Sequence, residues 1–125
     1  MYLLDTHTIL WFLHNSPQLS KKALDIITTE KRIYVSIASL WEIAIKKSIG
    51  KLNFEYPIQK LEILCYEKDI SLLQITSKHL DKLIELPNIH NDPFDRLLIS
   101  QAITESLNII TKDSIIPQYC VKTVW

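Results

Sequence analysis

The chain has 125 residues, 47% of them hydrophobic and 22% charged. A chain this long can bury about two-thirds of its unfolded surface, so a globular fold is expected, as one domain over residues 1–125. Fourteen Lys and Arg offset fourteen Asp and Glu, which excludes a general grip on nucleic acid through surplus positive charge; any such contact must be local, through a patch or a metal ion.

The first segment, YLLD at 2–5, is a short apolar run ending in an acid and reads as a buried strand. It carries Asp5 inside an apolar stretch and has no basic leader. That pattern fits neither a signal peptide nor a membrane span, which needs about 20 apolar residues, and a cytosolic protein is expected. THTILWFLHN follows as a helix, apolar nearly all round at Ile9 to Leu13. Trp11, Phe12 and Leu13 are consecutive, so one helix cannot turn all three to a single core. They are open to two readings: burial between sheet and neighbouring helix, or a groove for a partner segment or second copy. Ser16 with Pro17, or Ser20, can cap the next helix, LSKKALDIITTE.

RIYVS at 32–36 is a second strand. IASLWEIAIKKSIG has apolar residues at helical spacing, lysines in its last turns, and the chain's one glycine, Gly50, at its end. A further helix, YPIQKLEILCYEKD, precedes a third strand, ISLLQIT at 70–76. SKHLDKLIELP is a short helix stopped by Pro87, and HNDPFDRLLISQA opens the last helix, through about Glu105. LNIITKD at 107–113 is a fourth strand, and CVKTVW at 120–125 a possible fifth. Strands alternating with helices specify an α/β fold with a mostly parallel sheet, whose strand C-termini share one edge. Ligands bind at that edge near a reversal of strand order. Cys65 and Cys120 fit no zinc spacing and read as buried free thiols.

Four acids fall near that edge. Asp5 ends the first strand and Asp113 follows the fourth; Glu42 lies about one and a half turns into the helix after the second strand, and Asp95 occupies the first turn of the last helix. Each has a structural reading. Asp5 can cap its helix, Glu42 can pair with Lys46, Asp95 can favour the helix dipole, and Asp113 can belong to a turn. Asp92, followed by Pro93, reads as the cap of the last helix. Together the four are harder to explain structurally. Carboxylates at close range oppose one another's ionisation, and a divalent cation removes that cost. An all-oxygen set suits Mg²⁺ or Mn²⁺, ions that activate water and clamp phosphate oxygens in phosphodiester cleavage.

YLLDTHTILWFL, VSIASLWEIAIKKSIGKL, HNDPFDRLLISQA and IITKD, in that order, resemble the PIN-domain ribonucleases. Within them the chain is most similar to the VapC-like toxins of bacterial type II toxin–antitoxin systems. The resemblance spans essentially the whole chain. It implies an α/β/α sandwich, a Mg²⁺- or Mn²⁺-dependent endoribonuclease, and an acidic quartet at Asp5, Glu42, Asp95 and Asp113 that is both metal-holding and catalytic. It also implies supporting hydroxyls at Thr6 and Thr111, an RNA substrate, an antitoxin partner and a homodimer. Lys46, Lys47 and Lys51 can guide RNA or serve as ordinary surface charge, and Arg96 can guide RNA or pair with a neighbouring carboxylate. His7, His14, His79 and His90 are scattered and read as structural or surface residues. The rival readings are a non-catalytic signalling or binding module with an acidic edge, a phosphotransfer hydrolase that would need a second Asp in DTH, and a degenerate binding fold.

Overall fold

The computed structural model describes residues 1–125. Five strands, β1 (Tyr2–Leu4), β2 (Ile33–Ser36), β3 (Ile70–Leu73), β4 (Asn108–Ile110) and β5 (Thr123–Val124), form one sheet in the order β3-β2-β1-β4-β5. Every neighbouring pair is parallel. Six helices accompany it: α1 (Thr6–Leu13), α2 (Lys21–Thr29), α3 (Ile37–Ser48), α4 (Ile58–Glu67), α5 (Ser77–Glu85) and α6 (Pro93–Glu105).

The side-chain alternation of a strand builds two cores. Leu4, Val35 and Ile110 pack with Ile9, Ala23, Ile27, Leu40, Ile43 and Leu61 from α1 to α4. Leu3 and Ile109 pack instead with Leu97, Leu98, Ile99 and Ala102 of α6, and Leu83 of α5 joins them. This is the expected three-layer α/β/α sandwich. Each fully buried Leu or Ile contributes about 1.5–3 kcal/mol of transfer free energy. Strand order reverses beside β1: β2 and β3 lie to one side, β4 and β5 to the other. The ends of β1 and β4 therefore flank the crevice where such sheets bind ligands.

The strand-to-helix junctions are short and capped. Asp5 alone separates β1 from α1, and its carboxylate accepts the Thr8 N–H at 2.9 Å. Ser36 ends β2 and caps α3, accepting the Ala38 N–H at 3.0 Å. Asp92 caps α6 as expected, accepting N–H groups from Phe94 at 2.8 Å and Asp95 at 3.3 Å. Side-chain acceptors stand in for the missing carbonyls of the first turn.

Several boundaries differ from the expected ones. The cap of α2 is Ser20, not Ser16. β3 stops at Leu73 because Thr76 turns away to cap α5. There Thr76 accepts the His79 N–H, and buried His79 returns the bond by accepting the Thr76 N–H at Nδ1, 3.0 Å away. β4 is paired only over 108–110; the Thr111 N–H still donates to the Val124 carbonyl at 3.1 Å, and Lys112 and Asp113 lie beyond the strand. Cys120 is exposed rather than buried. Cys65 is buried, and burial together with the nearby Glu62 pushes its thiol up to about 11.

Asp92→Ala should cost about 1 kcal/mol in urea unfolding, the scale of a lost helix cap. Asp92→Asn, which keeps a capping oxygen, should stay close to the parent. Equal stability of all three proteins would contradict the capping role.

Candidate functional site

Asp5, Glu42, Asp95 and Asp113 all line one cleft of about 530 Å³. They arrive from four places: the end of β1, the second turn of α3, the first turn of α6, and the loop after β4. Asp5 and Glu42 are buried.

Hydroxyl groups tie the carboxylates down. One oxygen of Asp5 accepts the Thr8 backbone N–H and lies 2.6 Å from the Thr8 hydroxyl. Its other oxygen accepts a hydrogen bond from the Thr111 hydroxyl. Thr111 in turn accepts the Asp113 N–H at 3.0 Å, so one threonine links two of the acids. The Thr6 hydroxyl donates to Glu42 Oε1 at 2.7 Å, and Lys46 Nζ donates to Glu42 Oε2 at 2.8 Å. The helical Glu42–Lys46 pair expected from sequence is therefore present, and it lies inside the cleft.

Asp95 carries the largest electrostatic strain. Burial comes first among the causes, followed by repulsion from Asp92. Attraction to His90 opposes these, and the charges on Asp5 and Glu42 add to them, leaving the Asp95 pKa at about 7. Asp113 is shifted the other way. Partial burial alone would raise it, but hydrogen bonds from His90, Ile115 and Ile116 and electrostatic attraction to His90 hold it below the usual carboxylate value.

His90 was read from sequence as structural or surface, yet it stands among the acids. Its Nε2 lies 3.0 Å from Asp113 Oδ2 and 3.1 Å from Asp95 Oδ2. His90, Asp95 and Asp113 each offer one donor atom, all within 4.8 Å of one another. The available signal was position: His90 stands two residues before the cap of the helix that carries Asp95. Arg96 neither lines the cleft nor pairs with a carboxylate; it donates to the Pro87 carbonyl at 2.8 Å and reaches the Tyr119 hydroxyl at 3.2 Å. Lys47 donates to the Tyr56 carbonyl and sits over the Phe54 ring. Of the basic residues singled out, only Lys46 lines the cleft, and Lys112 joins it. His7 and Trp11 line it too, stacked with ring centres 5.5 Å apart. Phe12 and Leu13 pack against the first core instead.

The donor set fits a hard divalent cation. It supplies several carboxylate oxygens, already oriented, whose mutual repulsion such an ion would relieve. Asp5, Asp95, Asp113 and Glu42 could hold it.

Fold and site together define an α/β/α protein with an acidic cleft at the reversal of strand order. The PIN domain family model matches residues 2–122. The chain belongs to the PIN domain family. Solved structures share the fold. One is VapBC2 from Rickettsia felis bound to a DNA fragment from its promoter, with a TM-score of 0.73 and 16% identity, covering 98% of this chain and 96% of that one. Another is a toxin–antitoxin complex from Klebsiella pneumoniae, with a TM-score of 0.69 and 16% identity, covering 100% of this chain and 97% of that one. No curated protein matches the sequence.

The raised Asp95 pKa sets a pH dependence. In the unfolded chain this carboxyl ionises near 3.8, in the folded chain near 7. Between those values the folded state binds more protons, so stability should fall as pH rises from about 4 to about 7. The depressed Asp113 acts oppositely, and only at lower pH: its contribution is lost as pH falls through its folded pKa. In chelator, the thermal midpoint should therefore drop between pH 5 and pH 8 by more in the parent than in Asp95→Asn. Parallel pH profiles for the two proteins would contradict the assignment.

Proposed function

We propose that the chain is a metal-dependent endoribonuclease that hydrolyses RNA phosphodiester bonds and acts as the toxin of a toxin–antitoxin pair. The observation that carries this reading is the convergence of four acids, from four separate elements, on one cleft. PIN domains are generally nucleases, which supports hydrolysis of a phosphodiester. With a neutral chain, the cleft rather than the whole surface must engage the polymer.

Mg²⁺ or Mn²⁺ bound there would polarise the phosphate and lower the pKa of water. Asp5 and Asp95 are proposed as its main ligands, with Asp113 and Glu42 completing the set or orienting the attacking water. Thr6 and Thr111 hold the Glu42 and Asp5 carboxylates in place. Lys46 and Lys112, at the cleft wall, offer positive charge to the RNA backbone. In the reaction, water oxygen bonds to phosphorus, the bond to one bridging oxygen breaks, and that oxygen leaves with a proton.

The neighbouring structures are toxin–antitoxin complexes, which supports an antitoxin partner for this chain. A homodimer is proposed through α3, where Trp41, Ile45 and the C-terminal cap residue Ile49 form an exposed stripe at four-residue spacing. Phe94 extends the stripe by packing edge-on against Trp41. No helix is long and apolar enough to cross a membrane, and the proposed site of action is the cytoplasm.

Total RNA incubated with the purified protein should be cut with Mg²⁺ or Mn²⁺ and left intact with EDTA. Asp5→Asn and Asp95→Asn should each lower the rate by about 100-fold or more, as when one transition-state-stabilising group is lost, while circular dichroism stays unchanged. Cleavage by both variants at the parent rate would contradict the reading, and an inactive but metal-binding parent would favour a non-catalytic binding module. Trp41→Glu should convert a dimer to a folded monomer in light scattering; an unchanged mass would contradict the α3 interface.

A further inference from the structure

We infer that His90 is a positioning residue for the cleft, locked as a hydrogen-bond donor to Asp95 and Asp113 rather than available as a metal ligand. The inference rests on the reading of the cleft as a divalent-cation site. Its basis is the pattern of bonds around one imidazole ring. Nδ1 accepts the backbone N–H of Asp92 at 3.1 Å, so that nitrogen carries a lone pair and no hydrogen. The ring hydrogen therefore sits on Nε2. That atom faces Asp113 Oδ2 at 3.0 Å and Asp95 Oδ2 at 3.1 Å, two acceptors that share one N–H.

A histidine ligates a metal through a ring nitrogen that bears a lone pair. Here Nδ1 is taken by Asp92 and Nε2 by its own hydrogen. Ligation through Nε2 would move the hydrogen to Nδ1 and set it against the Asp92 N–H. The backbone gives the ring little room to escape. The His90 N–H donates to the Tyr119 hydroxyl at 2.7 Å, and the Ile89 N–H reaches the same oxygen at 3.1 Å. The His90 side chain is only 9% exposed. Asp113 is anchored independently through its other oxygen, which accepts the Ile115 N–H at 2.6 Å. His90 thus gathers an acid from α6 and an acid from the loop after β4 on one donor. It fixes their separation before any cation arrives. Partners that orient ligands in this way typically affect metal affinity by 10–100-fold.

The test has two arms on the full chain. In the first, ¹⁵N-labelled protein is examined by long-range ¹H–¹⁵N correlation of the imidazole rings, with and without Mg²⁺. The expected His90 signals show a protonated Nε2 and a bare Nδ1 in both states. A hydrogen on Nδ1 in either state would overturn the inference. In the second arm, Mn²⁺ affinity is measured by electron paramagnetic resonance. His90→Ala should weaken binding about tenfold or more, and His90→Gln, which restores an N–H donor, should recover part of that loss. Parent-like affinity in His90→Ala, or no recovery in His90→Gln, would overturn the inference. If His90→Ala fails to fold, the imidazole spectrum decides alone. If the parent binds neither ion, the cation reading of the cleft fails, while the metal-free spectrum still decides whether His90 is the shared donor.

Discussion

Carboxylates crowded at the end of a parallel sheet repel one another, and burial strengthens that repulsion because the screening by water is lost. The protein nevertheless gathers Asp5, Glu42, Asp95 and Asp113 around one cleft. Three of them have local support: hydroxyls and a helix start for Asp5, a hydroxyl and a lysine for Glu42, and backbone N–H groups and His90 for Asp113. Asp95 has the least, and burial, followed by repulsion from Asp92, leaves its pKa at about 7. An arrangement that raises the energy of an ionised group persists when that group has a task. The proposed task is to hold a cation that completes the charge balance.

The fold makes the arrangement repeatable at small cost. β1 and β2 run into α1 and α3 with a single capping residue at each junction, Asp5 and Ser36. The positions of Asp5 and Glu42 are therefore set by strand length and helix phase. Asp5 serves twice, as a cap and as a wall of the cleft. At the last helix the two duties are divided between neighbours: Asp92 caps α6, and Asp95, one turn in, faces the cleft. The division has an electrostatic side effect, since the charge of Asp92 is the second cause of the raised Asp95 pKa.

Much of this was legible in the chain itself. Short apolar runs alternating with helical periods specified the layers, and the segments bearing the acids specified the edge. The boundaries that moved were those where a side chain competes with the ladder. Thr76 caps α5 instead of extending β3, and Thr111, whose N–H still reaches the Val124 carbonyl, turns its hydroxyl to Asp5. Neither competition can be seen without knowing what the hydroxyl meets. His90 was missed for a related reason. Its spacing from Asp95 is local, but its partnership with Asp113 spans 23 residues and exists only once α6 has packed. Arg96 illustrates the converse: adjacency to Asp95 suggested a role at the cleft, but the helix turns its guanidinium toward Pro87 and Tyr119.

The acids are proposed to form a site that needs a cation, with Asp95 giving up a proton to admit it. Calorimetric titration of the metal-free protein with Mn²⁺, in buffers of differing ionisation enthalpy, measures the protons released on binding. With the Asp95 pKa raised to about 7, binding near pH 7 should release protons from this residue, and release should vanish toward pH 9. Asp95→Asn should lose that component. Binding with no proton release at pH 7, or no binding at any pH, would contradict the account.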